Sequence, residues 1–266
     1  MINFTLYVRG MKSSGKMLLL FAVVLVLYFA VVVWMFDPEL QESLEQFQQT
    51  MPELMSAFGM GQQDHSLTGF VTSYMYGFMM LVFPMVFSIL LANRLLAGAV
   101  DHGWMAYLLA SPNTRIKIAL TQGKVLGSGL VILILVSALS GLLFCEWLFP
   151  KELELKGFLF INLGVLALQL FIAGFCFFAS CLFNETKHSL ALGAGIPCLA
   201  YLVQMLANIG EEFEALKYGT FFSLYNPERL LAGESSAWWG VAILAAGALV
   251  FFVLGVFLFH KRDIPV

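Results

Sequence analysis

MLLLFAVVLVLYFAVVVWMF, from Met17 to Phe36, holds no charged residue and no alternation of polar with apolar positions. A helix rising about 1.5 Å per residue needs roughly 20 apolar residues to cross about 30 Å of hydrocarbon, and this run has that length. A barrel strand would alternate in polarity over about 10 residues, whereas Val23 to Val33 is apolar on every side. Outward from it lie five further runs of the same kind: Leu67 to Asn93, Val125 to Cys145, Phe158 to Phe183, Ser189 to Gly210 and Ala237 to Phe259. The expectation is an all-α membrane protein with six transmembrane helices over about 17–36, 67–93, 125–145, 158–183, 189–210 and 237–259, in a single transmembrane domain over 1–266.

Charge sets the orientation. An even number of spans puts both termini on one side, and that side collects Arg9, Lys12, Lys16, Arg94, Arg115, Lys117, Lys124, Lys187, Lys261 and Arg262. The other side has Lys151, Lys156, Lys217 and Arg229. Ten against four of the 14 basic residues places the termini in the cytoplasm by the positive-inside rule. The acidic residues collect on the opposite, outer face, with Asp37, Glu39, Glu42, Glu45, Glu53 and Asp64 in the first outer loop.

Composition excludes several classes of function. A net charge of −3 with 12% charged residues leaves no basic patch for nucleic acid, and no loop has the length of a soluble catalytic domain. No Asp, Glu, Lys or Arg lies inside a run, which argues against a proton relay or an intramembrane catalyst. The Met17 run is too long for the core of a signal peptide and lacks an Ala-x-Ala exit, so it reads as a retained first span. Cys145, Cys176, Cys181 and Cys198 form no CxxC and read as small apolar residues.

Gly10-Met-Lys-Ser-Ser-Gly15-Lys16-Met17 has the glycines and lysine of a phosphate-binding loop, but Met17 stands where a magnesium-binding hydroxyl is needed. Phe4, Tyr7, Val8 and Met11 with Arg9, Lys12 and Lys16 suit instead a short interfacial helix that precedes a turn into the membrane. No ATP site, no cofactor and no metal site is therefore expected on this chain, and the chain is not expected to be an enzyme.

The longest cytoplasmic stretch runs from Asn93 to Arg115. Trp104, Met105, Leu108 and Leu109 recur at helical spacing behind Asp101, and Ser111-Pro112 stops the helix. A short amphipathic helix there is either a surface offered to a partner or a helix lying flat in the inner leaflet.

Asp101-His-Gly103, then Leu108-Leu109-Ala110-Ser111-Pro112-Asn-Thr-Arg115 and Lys117, resembles the acidic-x-Gly, Leu-Leu-x-x-Pro-x-Ser-Arg segment of ABC-2 type permeases, membrane subunits of bacterial ATP-binding-cassette exporters. Leu216 to Pro227, with Leu230-Leu231-Ala-Gly233, and the C-terminal Phe259-His-Lys-Arg262-Asp263 resemble the same family. The resemblance implies that the segment between spans 2 and 3 is a coupling helix docking on a cassette ATPase. Asp101, Gly103, Trp104, Met105, Leu108, Leu109, Pro112 and Arg115 would make or shape that contact. Asp101 replaces the usual Glu, Thr114 the usual Ser, and Trp104 the common Thr, so the ATPase groove would be matched to a large ring. It further implies two ATPase subunits carrying ATP and Mg, a second permease copy or relative, a bacterial plasma membrane, and export by alternating access, while the neutral, Met- and Phe-rich spans suit an amphiphilic or hydrophobic substrate better than a compact ion. The reading from another class is a membrane anchor or sensor that binds the ATPase and moves nothing.

Neutral polar residues at depth are Tyr76, Asn162, Gln169, Gln204 and Asn208; most such residues make interhelical hydrogen bonds, and the same residues are the candidates to line a path. Pro84 and Pro197 each remove a backbone hydrogen bond within a span and mark expected kinks. The outer stretch from Glu211 to Ser236 is too apolar for a free loop, and its aromatics alone read equally as an interfacial belt or an extracellular lid; the resemblance implies re-entrant helices before span 6, with Phe213, Phe221, Phe222 and Tyr225 as the lid. Met51, Met55, Met60, Met75, Met79, Met80 and Met85 crowd together with His65; thioethers favour Cu(I), but packing explains them more simply.

Overall fold

The computed structural model describes residues 3–36, 50–60, 66–110, 113–209 and 211–262. Every regular element among them is a helix. In chain order these are α1 (Phe4–Trp34), α2 (Pro52–Ala57), α3 (Leu67–Val71), a π-helical segment (Thr72–Met79), α4 (Met80–Leu95), α5 (Ala97–Asp101), α6 (Trp104–Ala110), α7 (Arg115–Leu148), α8 (Leu155–Leu182), α9 (Thr186–Ile209), two 3-10 segments (Glu211–Gly219 and Phe221–Leu224), α10 (Pro227–Leu231) and α11 (Ser235–Lys261). Six stretches are long and apolar enough to cross a membrane: α1, α3 through α5, α7, α8, α9 and α11.

Local chemistry starts these helices where they start. Asn3, Ser66, Thr114 and Asn226 each accept a hydrogen bond from the N–H three residues on, the N-cap arrangement, and Pro227 follows Asn226 at the first helical position. The expected interfacial helix with a turn before the first span is not what forms: α1 is continuous from Phe4 to Trp34. Its first turns are held straight against α7, where Gly10 packs on Val125, Tyr7 Oη meets Ser128 Oγ at 3.0 Å, and further along Gly141 admits Phe29. Span 3 likewise begins at Arg115, ahead of its apolar run, because a helix continues past hydrocarbon as long as its backbone bonds are satisfied.

α8 is the central strut, packed against α4, α7, α9, α10 and α11. The chain keeps α4 and α9 helical through Pro84 and Pro197. Proline has no N–H for the carbonyl four residues back, and with no water at this depth that carbonyl needs another donor. Gln169 of α8 supplies one to Met80 at 2.9 Å, and to Leu81 at 2.7 Å. Cys176, two turns further along α8, donates to Gly193 at 3.2 Å, four residues before Pro197. The reading of Cys176 as a merely apolar filler is corrected by this bond.

The stretch after α9 folds back over the bundle. Phe221 lies against Phe171 with ring centroids 5.1 Å apart, Tyr225 and Leu230 fill the space beside Gly164, and Leu231 fills that beside Gly157. Phe171, Gly164 and Gly157 step along α8 by seven residues each, about 10 Å per step. The returning chain thus climbs from the middle of α8 to its first turn. This stretch consists of two 3-10 segments and a five-residue α-helix.

Candidate functional site

Between α4 and α7 the chain forms two short helices separated by a tight turn. Gly103 takes φ +74°, a left-handed conformation that a side chain resists, and its N–H bonds Val100 O at 3.0 Å to close α5. α6 then has two faces. Met105 is 1% exposed and Leu108 packs on the core, whereas Trp104 is 66% exposed and Tyr107 79%. Residues three apart share a helix face, so Trp104 and Tyr107 form one outward aromatic pair. Tyr107 is the residue that sequence reasoning misses; its signal is the spacing from Trp104. Met105 and Leu108 instead fasten α6 to the bundle. Pro112 lies outside the described residues.

The flanking residues tie this segment to three spans. Asp101 Oδ2 accepts from the N–H of Thr186 at 3.3 Å, at the first residue of α9, where a carboxylate complements the helix dipole. Asp101 therefore caps the start of span 5. Asn113 Oδ1 accepts from Asn3 Nδ2 at 2.8 Å. Arg115 Nη1 donates to the carbonyl of Arg262 at 2.6 Å, and Arg262 in turn donates to Cys181 O at 2.6 Å and to Asn184 Oδ1. The ends of α7, α8 and α11 are so joined through two guanidinium groups, each placed at a helix C-terminus where a cation is favoured.

The candidates for a transport path separate into braces and a polar cluster. Gln169 is fully buried and committed to the carbonyls before Pro84. Gln204 Oε1 accepts from Thr220 Oγ1 at 2.5 Å, which fastens the segment after α9 to that helix, and its amide donates to Asn208 Oδ1 at 3.1 Å one turn along α9 itself. Tyr76 and Asn162 lie together inside the bundle with Tyr225 of the outer segment. The Tyr76 hydroxyl, the Asn162 side-chain oxygen and the Tyr225 hydroxyl are buried with no hydrogen-bond partner among the described residues. Unpaired polar atoms in a core call for an explanation; others among the described residues, such as the Gln169 side-chain oxygen, also lack a partner, but these three converge from three elements.

Of the aromatic residues expected to form a lid, Phe222 and Tyr225 are buried, Phe221 stacks on Phe222 at 4.7 Å, and Phe213 stays exposed. Gly10 to Met17 is helical throughout. Its backbone N–H groups are used along α1, and Ser14 Oγ bonds Gly10 O at 2.9 Å. Met75, Met80 and Met85 are buried in the core, as packing requires; His65 lies outside the described residues.

A family model described as ABC-2 family transporter protein matches residues 13–264. No curated protein matches the chain.

Proposed function

The chain belongs to the ABC-2 family of transporters, and from that premise we propose that it is the permease subunit of an ATP-driven exporter in a bacterial plasma membrane. The single observation that carries this reading is the exposed Trp104–Tyr107 pair on a helix otherwise fastened to the bundle. Amphipathic helices usually bury their aromatic residues; here the anchor-type side chains are offered outward while Met105 turns in. A cassette ATPase on the cytoplasmic side is the partner that fits, holding Mg-ATP on its own residues.

Asp101, at the end of α5 and across the Gly103 turn from the docking helix, then links this segment to span 5. Movement of α6 would pull on Thr186 at one end of α9, and the other end of α9 holds the outer segment through Gln204 and Thr220. Pro197 lies between them. ATP-driven closure of two ATPases would thus reach an outer lid built from Phe221, Phe222 and Tyr225, and rocking of this chain against a second permease copy would alternate access. Tyr76 and Asn162 line the path below that lid. With neutral, Met- and Phe-rich spans, the cargo is an amphiphilic or hydrophobic molecule rather than a compact ion.

Vesicles holding this chain and a cassette ATPase that co-purifies with it test the reading. ATP-dependent uptake of an amphiphilic dye into inverted vesicles supports an exporter. Tight ATPase binding without uptake of any amphiphile tried would favour the anchor or sensor.

A further inference from the structure

We propose that an anionic phospholipid occupies the groove formed by α1, α7 and α11 at the end of the bundle that carries the termini. The groove encloses about 990 Å³ and runs along α7 from Ile116 to Ser128 and along α11 from Leu249 to His260. Twelve residues of helix give it a length of about 18 Å, close to one leaflet of a hydrocarbon core about 30 Å thick. Its walls are Leu120, Leu249, Phe252, Val253 and Phe257, and Gly123 and Gly127 lower its floor. A Cβ added at Gly127 would meet nothing within 4 Å, so the space is open where a chain would lie. This shape suits a single acyl chain laid parallel to the helices.

The charges choose the head group. The basic side chains of the lining are Lys124 and His260, and among the described residues no carboxylate lines the groove with them. Neither donates to a described side chain, and Lys261 beside them rests 4.4 Å from the Phe257 ring. A phosphodiester supplies the missing acceptor, through a charge-assisted bond to the Lys124 ammonium and a second bond to the His260 ring. A second copy of the chain fits less well, because it would need a spare carboxylate at this end. The described candidates are taken: Glu185 sits 3.0 Å from His188, and Asp101 accepts from Thr186.

Native mass spectrometry of the purified permease, delipidated and then given phosphatidylglycerol or phosphatidylcholine, tests the proposal without any ATPase. Wild type should retain phosphatidylglycerol about fivefold more strongly, the factor that one interfacial basic residue contributes. Lys124→Gln with His260→Gln should erase that preference. Gly127→Phe, which fills open space without a clash, should lower retention of both lipids. Equal retention of the two lipids by wild type, unchanged retention in Gly127→Phe, or a Gly127→Cys cross-link between two copies would each overturn it.

Discussion

Gln169 and Cys176, seven residues apart on one face of α8, each donate to the carbonyl that a proline leaves bare on a neighbouring span. Gln169 serves Met80, four residues before Pro84, and Cys176 serves Gly193, four residues before Pro197. Two turns of helix separate the donors, so α8 presents both from the same side. The two spans that carry prolines are also the two joined by the Asp101–Thr186 bond near α6. Both are articulated on α8 rather than left to bend freely.

Gln169→Leu keeps the volume and removes the donor, leaving the Met80 carbonyl unpaired in a medium without water. It should cost about 1 kcal/mol of stability, the usual scale of an interhelical bond in a membrane. Cys176→Ala should cost less, and Cys176→Ser should restore the bond. Thermal unfolding in detergent reads all three, and equal stability of the alanine and serine variants would remove the assigned role of the thiol.

The outer segment predicts a sharp difference between two glycines on apolar helices. A Cβ at Gly240 would collide with the Leu224 carbonyl, which is backbone and cannot swing aside, whereas one at Gly127 meets open space. Gly240→Ala should destabilise by about 1–3 kcal/mol and expose Phe221 and Phe222 to quenchers, while Gly127→Ala should be neutral or slightly stabilising. Equal melting temperatures would mean that the segment is not seated on α11.

Tyr225→Phe deletes a buried hydroxyl that has no partner among the described residues. Removing an unpaired buried polar group is neutral or favourable, so the variant should melt no lower than wild type, yet transport should slow if the hydroxyl meets cargo when the lid opens. A drop in stability of more than about 1 kcal/mol would show the hydroxyl bonded in the resting state.

Orientation can be read by labelling. In a chain whose native cysteines are replaced, with Cys176→Ser keeping its bond, Glu152→Cys and Tyr218→Cys should react with an impermeant reagent in intact cells, and Tyr107→Cys should not. Labelling at Tyr107 with protection at Glu152 would invert the topology and move the docking helix to the outside.

Spans and their number were legible in the sequence because uncharged runs of membrane length have few other uses. Helix ends were not: α1 and α7 reach into charged sequence, since tertiary contacts at Gly10 and Tyr7 hold a helix that composition alone would break. The short helix after span 2 was visible in its spacing, but its outward face was not. An apolar pattern shows that Trp104, Met105, Leu108 and Leu109 recur, and only packing shows that Met105 goes in while Trp104 and Tyr107 go out. Gln169 looked like path lining because a lone amide in a span reads the same whether its partner is cargo or a carbonyl freed by Pro84 on another helix. Pairings such as Asp101 with Thr186 and Arg115 with Arg262 join residues distant in sequence, with no local signature.

The central claim is that Trp104 and Tyr107 seat the ATPase, and co-purification of the ATPase with membranes at matched permease expression tests it most directly. Truncating an aromatic anchor typically costs 2 kcal/mol or more, about thirtyfold in affinity. Trp104→Ala and Tyr107→Ala should each release most of the ATPase while the permease melts as wild type does, whereas Met105→Ala should lower the melting temperature of the permease itself. Wild-type recovery of the ATPase with the Trp104→Ala, Tyr107→Ala double variant would contradict the account and return α6 to the surface of the membrane.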